Sequence, residues 1–98
     1  MTRRLVVSRR AENEIAKHDR WWRQNRDNVN AFSEDVANAL ELLRRSPEVG
    51  MRAMGMKRRD VFRYTIDRVR YYMYYTYSTD DVRILAIWHS SREREPRL

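Results

Sequence analysis

Apolar side chains recur every three or four residues as far as Leu43, then every second residue from Val61 onward. The first spacing gathers them on one stripe of a helix, the second on one face of a strand. A chain that switches period in this way must lay helices against a sheet. The helical part opens after a short apolar run, Leu5-Val6-Val7, which reads as a strand. Ser8 follows as an N-cap. Ala11, Ile15 and Trp22 then form a stripe with His18 between them, and Arg10, Glu14, Lys17 and Arg20 occupy the opposite side. That helix runs to about residue 25. After the polar break 25–28, a second stripe of Val29, Phe32, Val36, Ala39, Leu40 and Leu43 predicts a second helix, supported by the i,i+4 pair Glu41–Arg45. Pro47 ends it, because the residue before a proline is pushed out of the helical region.

Gly50 to Gly55 reads as a loop. Three strands follow: 61–65, a long one over 69–77 after a turn at Asp67-Arg68, and 82–88 after the turn 78–81. Their β-branched and aromatic content agrees. The expected architecture is α+β, in the order β-α-α-β-β-β. An N-terminal strand and a helical hairpin pack on one face of a mainly antiparallel four-stranded sheet. In the long strand Val69, Tyr71, Met73, Tyr75 and Tyr77 share one face, and Arg70, Tyr72, Tyr74 and Thr76 share the other. If the helices cover one side alone, Tyr72 and Tyr74 form an exposed aromatic-cation surface with Arg70.

With 98 residues and no linker-like or repetitive stretch, one domain over 1–98 is expected. There is no cysteine, so disulfides and thiolate metal sites are excluded. The two histidines stand far apart and no carboxylates cluster at ligand spacing, so no metal or other cofactor is expected. The apolar run near the start is too short for a signal-peptide core or a membrane span, and a cytoplasmic protein is the expectation. Nineteen arginines and two lysines against fourteen acids give a net charge of +7. Such an excess, carried by the side chain that binds carboxylate and phosphate in bidentate fashion, favours a polyanion or an acidic protein segment as partner.

Three stretches resemble a known family. Trp21-Trp22 near the end of the first helix, Arg70-Tyr71-Tyr72-Met73-Tyr74-Tyr75 on the long strand, and Ile84-Leu85-Ala86-Ile87-Trp88-His89-Ser90-Ser91-Arg92 at the close are similar to the RelE/ParE toxin superfamily, as is the order of elements. The resemblance implies a single toxin domain encoded beside an antitoxin whose acidic or amphipathic C-terminal segment blocks it. It also implies a toxin–antitoxin hetero-oligomer and no membrane partner. Trp21 and Trp88 are the expected antitoxin contacts. The superfamily divides by target: RelE-like members cleave mRNA on the ribosome, and ParE-like members poison DNA gyrase.

For a nuclease the catalytic residues would be Arg70, His89 and Arg92, without a metal; for a gyrase poison there would be none. RNA cleavage needs a base, an acid and cations for the phosphorane. Here Ser90-Ser91 follow the histidine where many nuclease members carry a tyrosine, Glu48 is a weak match for their carboxylate, and the basic tail resembles ParE endings. The ParE-like branch is therefore expected, with RelE-like mRNA cleavage and a small basic nucleic-acid-binding domain as alternatives. The expected target-binding surface is Lys57, Arg58, Arg59, Arg63, Arg70, Tyr72, Tyr74, His89 and Arg92. Blander readings stand beside these: His89 closing the sheet by hydrogen bonding, His18 packing half-buried, Trp22 in the core and Trp21 at its border.

Overall fold

The computed structural model describes residues 3–92 and 94–98. Strand β1 (Arg4–Val7) leads into helices α1 (Arg9–Asn25) and α2 (Ala31–Arg45). A single 3-10 turn, Pro47–Val49, precedes strands β2 (Met51–Arg52), β3 (Phe62–Ile66), β4 (Tyr71–Tyr77) and β5 (Asp81–His89). The sheet order is β1-β5-β4-β3-β2, with β1 parallel to β5 and the other pairs antiparallel. The α+β class and the order of elements match the expectation from sequence, with five strands in place of four. Among the described residues no helix is long and apolar enough to cross a membrane.

Helix α1 begins where its sequence signal stands, whereas α2 begins at Ala31 and leaves Val29, expected in its stripe, exposed before it. The Ser8 hydroxyl accepts the Ala11 amide at 3.0 Å, which satisfies one of the orphan donors of α1. Both helices cover one face of the sheet. Ala11, Phe32, Val36, Ala39 and Leu43 meet Val69, Tyr71, Met73, Tyr75, Ile84 and Ile87 there. Each large side chain so buried contributes roughly 1.5–3 kcal/mol. Strand β1 ends opposite Ile84, and past it α1 closes the edge of β5. The Ser8 hydroxyl donates to the Leu85 carbonyl at 3.1 Å, and the Glu14 carboxylate accepts the Ile87 amide at 2.9 Å. Glu14, read from sequence as solvated, thus ties helix to sheet.

Three expectations change. The stretch 50–55 contains β2, brought to the edge of β3 because the Tyr75 hydroxyl donates to the Pro47 carbonyl (2.5 Å) and accepts the Gly50 amide (3.0 Å). A side chain at Gly50 would overlap that hydroxyl. A two-residue strand is too short to show alternation. The long strand starts at Tyr71, not Val69: residues 67–70 form a turn in which the Arg70 amide donates to the Ile66 carbonyl at 2.9 Å. Val69 is apolar because the turn buries it in the helix-side core, not because it lies in a strand.

The third change concerns the far face of the sheet. The expectation of an open aromatic-cation surface there is overturned. Tyr74 is 1% exposed, packed with Ala53, Val61 and Ala86, while Met56, Leu85, Trp88 and Leu98 close around them. The loop between β2 and β3 and the C-terminal tail provide this cover. The tail is held by Arg10 donating to the Arg97 carbonyl (2.6 Å) and the Trp88 indole donating to the Arg94 carbonyl (2.7 Å). A bulge assists: Tyr74 pairs with Ala86 and Tyr75 with Ile84, so Leu85 is an extra residue and joins Ala86 on the far side. Leu85 thereby adds to a second apolar cluster on that side, with Ala86 and Trp88 of the same strand.

Candidate interaction cleft

Where α1 ends, the turn after β3 and the end of β5 come together around a cleft of about 920 Å3. Helix α1 contributes Lys17, His18, Arg20, Trp21, Trp22 and Gln24, followed by Arg26. The turn contributes Arg68, Val69 and Arg70, β4 its first residue Tyr71, and the end of β5 His89, with Ser91 and Arg92 after it. Six lining residues are cations, and among the described residues no aspartate or glutamate lines the cleft. Arg68 is paired with Asp35 at 2.7 Å. Among the described residues, Lys17, Arg20, Arg26, Arg70 and Arg92 have no ion pair within 4.0 Å.

The floor is aromatic and neutral. The Tyr71 hydroxyl lies 3.0 Å from Nδ1 of His18, and Phe32 and His89 approach the Tyr71 ring edge-on at 4.9 and 5.0 Å between centroids. Burial lowers the His18 pKa below its ordinary 6.5, and the charges of Lys17, Arg92 and His89 lower it further. The ring is therefore neutral near pH 7, and Nδ1 accepts the phenol proton. Burial raises the Tyr71 pKa, with a Trp22 hydrogen bond and the Arg26 and Arg92 charges acting against it. Above the floor the Arg26 guanidinium lies over both indoles, 5.1 Å from the Trp21 ring and 5.4 Å from that of Trp22.

Arg70 is held by its backbone. Its φ is 62°, a left-handed conformation that side chains with a Cβ disfavour by roughly 1–2 kcal/mol. Its amide is taken by Ile66, and its carbonyl accepts the Ser90 amide at 2.9 Å, so β3 and the residue just after β5 both pin the turn. Glycine would be relaxed there, and the chain carries an exposed arginine in its place. His89 is constrained as well: Nδ1 accepts the Ser91 amide (3.2 Å) and meets the Ser91 hydroxyl at 2.6 Å.

The residues predicted from sequence to bind a target separate into three places. Arg70, His89 and Arg92 line the cleft, and Trp21, expected to meet an antitoxin, lies in it with them. Arg63 and Tyr72 lie on the far face with the guanidinium 4.2 Å from the ring, beside the buried Tyr74. Burial raises the Tyr74 pKa and its hydrogen bond from Arg63 opposes the rise. Lys57, Arg58 and Arg59 belong to the loop between β2 and β3, where Arg58 is paired with Asp60 at 2.9 Å. Trp88 is also outside the cleft: its ring is held on the far face under Arg92 at 4.1 Å and Arg10 at 5.9 Å. Sequence reasoning missed Lys17, Arg20, Arg26 and Arg68 by reading the first two as a solvated helix side. The available signal was the absence of any acid from residue 20 to residue 26, beside two tryptophans.

Among the described residues no three histidine or acidic side chains group as metal ligands would. The family model described as the ParE toxin of the type II toxin–antitoxin system parDE matches residues 5–94. No curated protein matches the chain. Solved structures do, among them one described as a chromosomal ParDE toxin–antitoxin system from P. aeruginosa. That likeness has a TM-score of 0.72 and 13% identity, and covers 90% of this chain and 96% of the other. At that identity the likeness is one of fold. The family match, which spans nearly all the elements described above, makes this chain a member of the ParE toxin family of type II toxin–antitoxin systems.

Proposed function

We propose that this toxin acts as a protein-binding poison of DNA gyrase, is held inactive by a cognate antitoxin, and meets its target through the basic-aromatic cleft. The observation that carries this reading is the lining of that cleft, which among the described residues has cations and indoles but no carboxylate. Such a lining is suited to gripping a partner, since arginine and tryptophan are the side chains that most often dominate protein contacts. Gyrase as the target is what the resemblance to the ParE-like branch implies, and the family match supports that branch.

A ribosome-dependent endoribonuclease is the second reading, favoured by the convergence of Arg70, His89 and Arg92 in one cleft. Attack by a 2′-hydroxyl needs a base. With Nδ1 of His89 engaged by Ser91, a neutral ring carries its proton on Nε2 and presents a donor outward. Among the described residues no carboxylate of the cleft lining replaces it. The purified chain should therefore inhibit supercoiling by gyrase and accumulate cleaved complexes, and should leave mRNA on translating ribosomes uncut. Cuts in mRNA with no effect on gyrase would exchange the two readings.

A further inference from the structure

Strands β2 and β3 run antiparallel, and the Ala53 amide donates to the Val61 carbonyl at 2.8 Å, which extends the pair into the loop that joins them. The loop is thus the end of a two-stranded ribbon. Its base is anchored, because Ala53 and Val61 are buried on the far face and Met56 packs against their cluster. Gly55 turns the chain at a φ of 80°, and a Cβ there would meet nothing within 4 Å, so the tip stands in open space. Met54, just before it, is 75% exposed. Val49, Met51 and Met54 are three of the five large apolar side chains exposed among the described residues, and their closeness in the chain sets them apart from scattered surface hydrophobics.

Charge surrounds this tip. Residues 52–60 carry Arg52, Lys57, Arg58 and Arg59 against one acid, Asp60, which Arg58 holds at 2.9 Å. Glu95 of the tail lines one hollow with Lys57. Among the described residues Arg52 and Arg59 have no ion pair within 4.0 Å, and the Arg52 guanidinium donates to the Arg59 carbonyl at 3.2 Å, which keeps the two residues together. A protein contact is centred on aromatic anchors with few charges among them. Residues 50–60 include no aromatic side chain. A basic ribbon with an apolar tip suits duplex DNA instead: ribbons fit its grooves, guanidinium groups take its phosphates, and methionine is among the side chains that wedge between base steps. We propose that the β2–β3 ribbon is a duplex-DNA contact, with Arg52 and Arg59 on phosphates and Met54 wedged at a base step. This surface shares no residue with the cleft and does not need gyrase. Where the chain does poison gyrase, the ribbon engages the DNA that the enzyme holds.

Fluorescence anisotropy of the full chain with a labelled duplex of about 20 base pairs, centred on a readily kinked TA step, tests the phosphate contacts. Arg52→Gln/Arg59→Gln should weaken binding about tenfold or more and reduce the slope of log K against log salt by about two. Arg9→Gln/Arg45→Gln, which removes the same charge away from the ribbon, should change binding less than about twofold. Dyes at the two ends of the duplex read bending. The parent chain should shorten the distance between them, and Met54→Ala should bind nearly as well yet leave the duplex straight. Arg52, Arg59 and Met54 are exposed, so all these variants should melt with the parent. Equal losses in the two double variants, or a larger loss in Arg70→Gln/Arg92→Gln, overturn the ribbon as the DNA contact. A duplex bent equally by Met54→Ala overturns the wedge. Binding to DNA-free gyrase subunits that Arg52→Gln/Arg59→Gln abolishes, with duplex binding unchanged, assigns the ribbon to a protein and overturns the proposal. The duplex measurements do not involve gyrase, so their failure leaves the reading of the cleft standing.

Discussion

The Tyr71 hydroxyl donates to Nδ1 of His18 across 3.0 Å, joining the first residue of β4 to the middle of α1 beneath the cleft. The bond requires a neutral imidazole, and the lowered His18 pKa provides it. In the unfolded chain His18 takes up a proton near pH 6.5; in the folded chain it does so lower. The unfolded state thus binds the extra proton first, and stability falls as pH drops from about 7 through that window. Urea midpoints at pH 7.5 and 5.5 should show the loss, and His18→Gln should reduce it. Equal midpoints at the two pH values would contradict the linkage.

Tyr71→Phe should cost about 1–3 kcal/mol, the net value of the hydroxyl's hydrogen bonds with His18 and Trp22, because the phenyl ring keeps its contacts with Phe32 and His89. Denaturant unfolding measures this. A loss several times larger would mean that the hydroxyl organises more than His18 and Trp22.

Tyr75 gives a test at the opposite end of the pH scale. Its hydroxyl links Pro47 and Gly50, and burial pushes its pKa up to about 12. The unfolded tyrosine ionises near 10, so stability is complete below pH 10 and declines as pH rises towards 12. Tyr75→Phe should flatten that decline. At neutral pH it should cost about 1–3 kcal/mol, since the Gly50 amide and the Pro47 carbonyl lose a partner.

Arg70→Gly should separate stability from activity. Relief at a φ of 62° offsets the added freedom of glycine in the unfolded chain, so the variant should melt no lower than the parent. Removal of a cleft cation should nevertheless weaken growth arrest. A variant that arrests growth as strongly as the parent would exclude Arg70 from the contact surface.

Tyr74→Ala should destabilise by about 3–5 kcal/mol, as truncation of a buried aromatic does. Loss of toxicity in that variant would report unfolding rather than a lost target contact. Arg63→Ala and Tyr72→Phe are the cleaner probes of the far face, and neither should change gyrase inhibition by more than about twofold, in keeping with surface sites outside the contact.

Much of this molecule was legible in the order of its residues. The stripe Phe32-Val36-Ala39-Leu43, the cap at Ser8, the stop at Pro47 and the alternation of Tyr71, Met73 and Tyr75 each follow from local geometry, and local geometry is written in spacing. Charge was equally plain: an arginine excess points to an anionic partner wherever the side chains fall. The site was not legible, because it is assembled from α1, a turn and the end of β5, segments distant in the chain that only the tertiary structure brings together. Packing also decided that Tyr74 is buried and that Trp21, not Trp88, stands beside Arg70. A strand's alternation tells which side chains share a face, but what covers that face depends on segments distant in the chain. Here the loop before β3 and the C-terminal tail closed one side of the sheet, which left the cationic opening at its end.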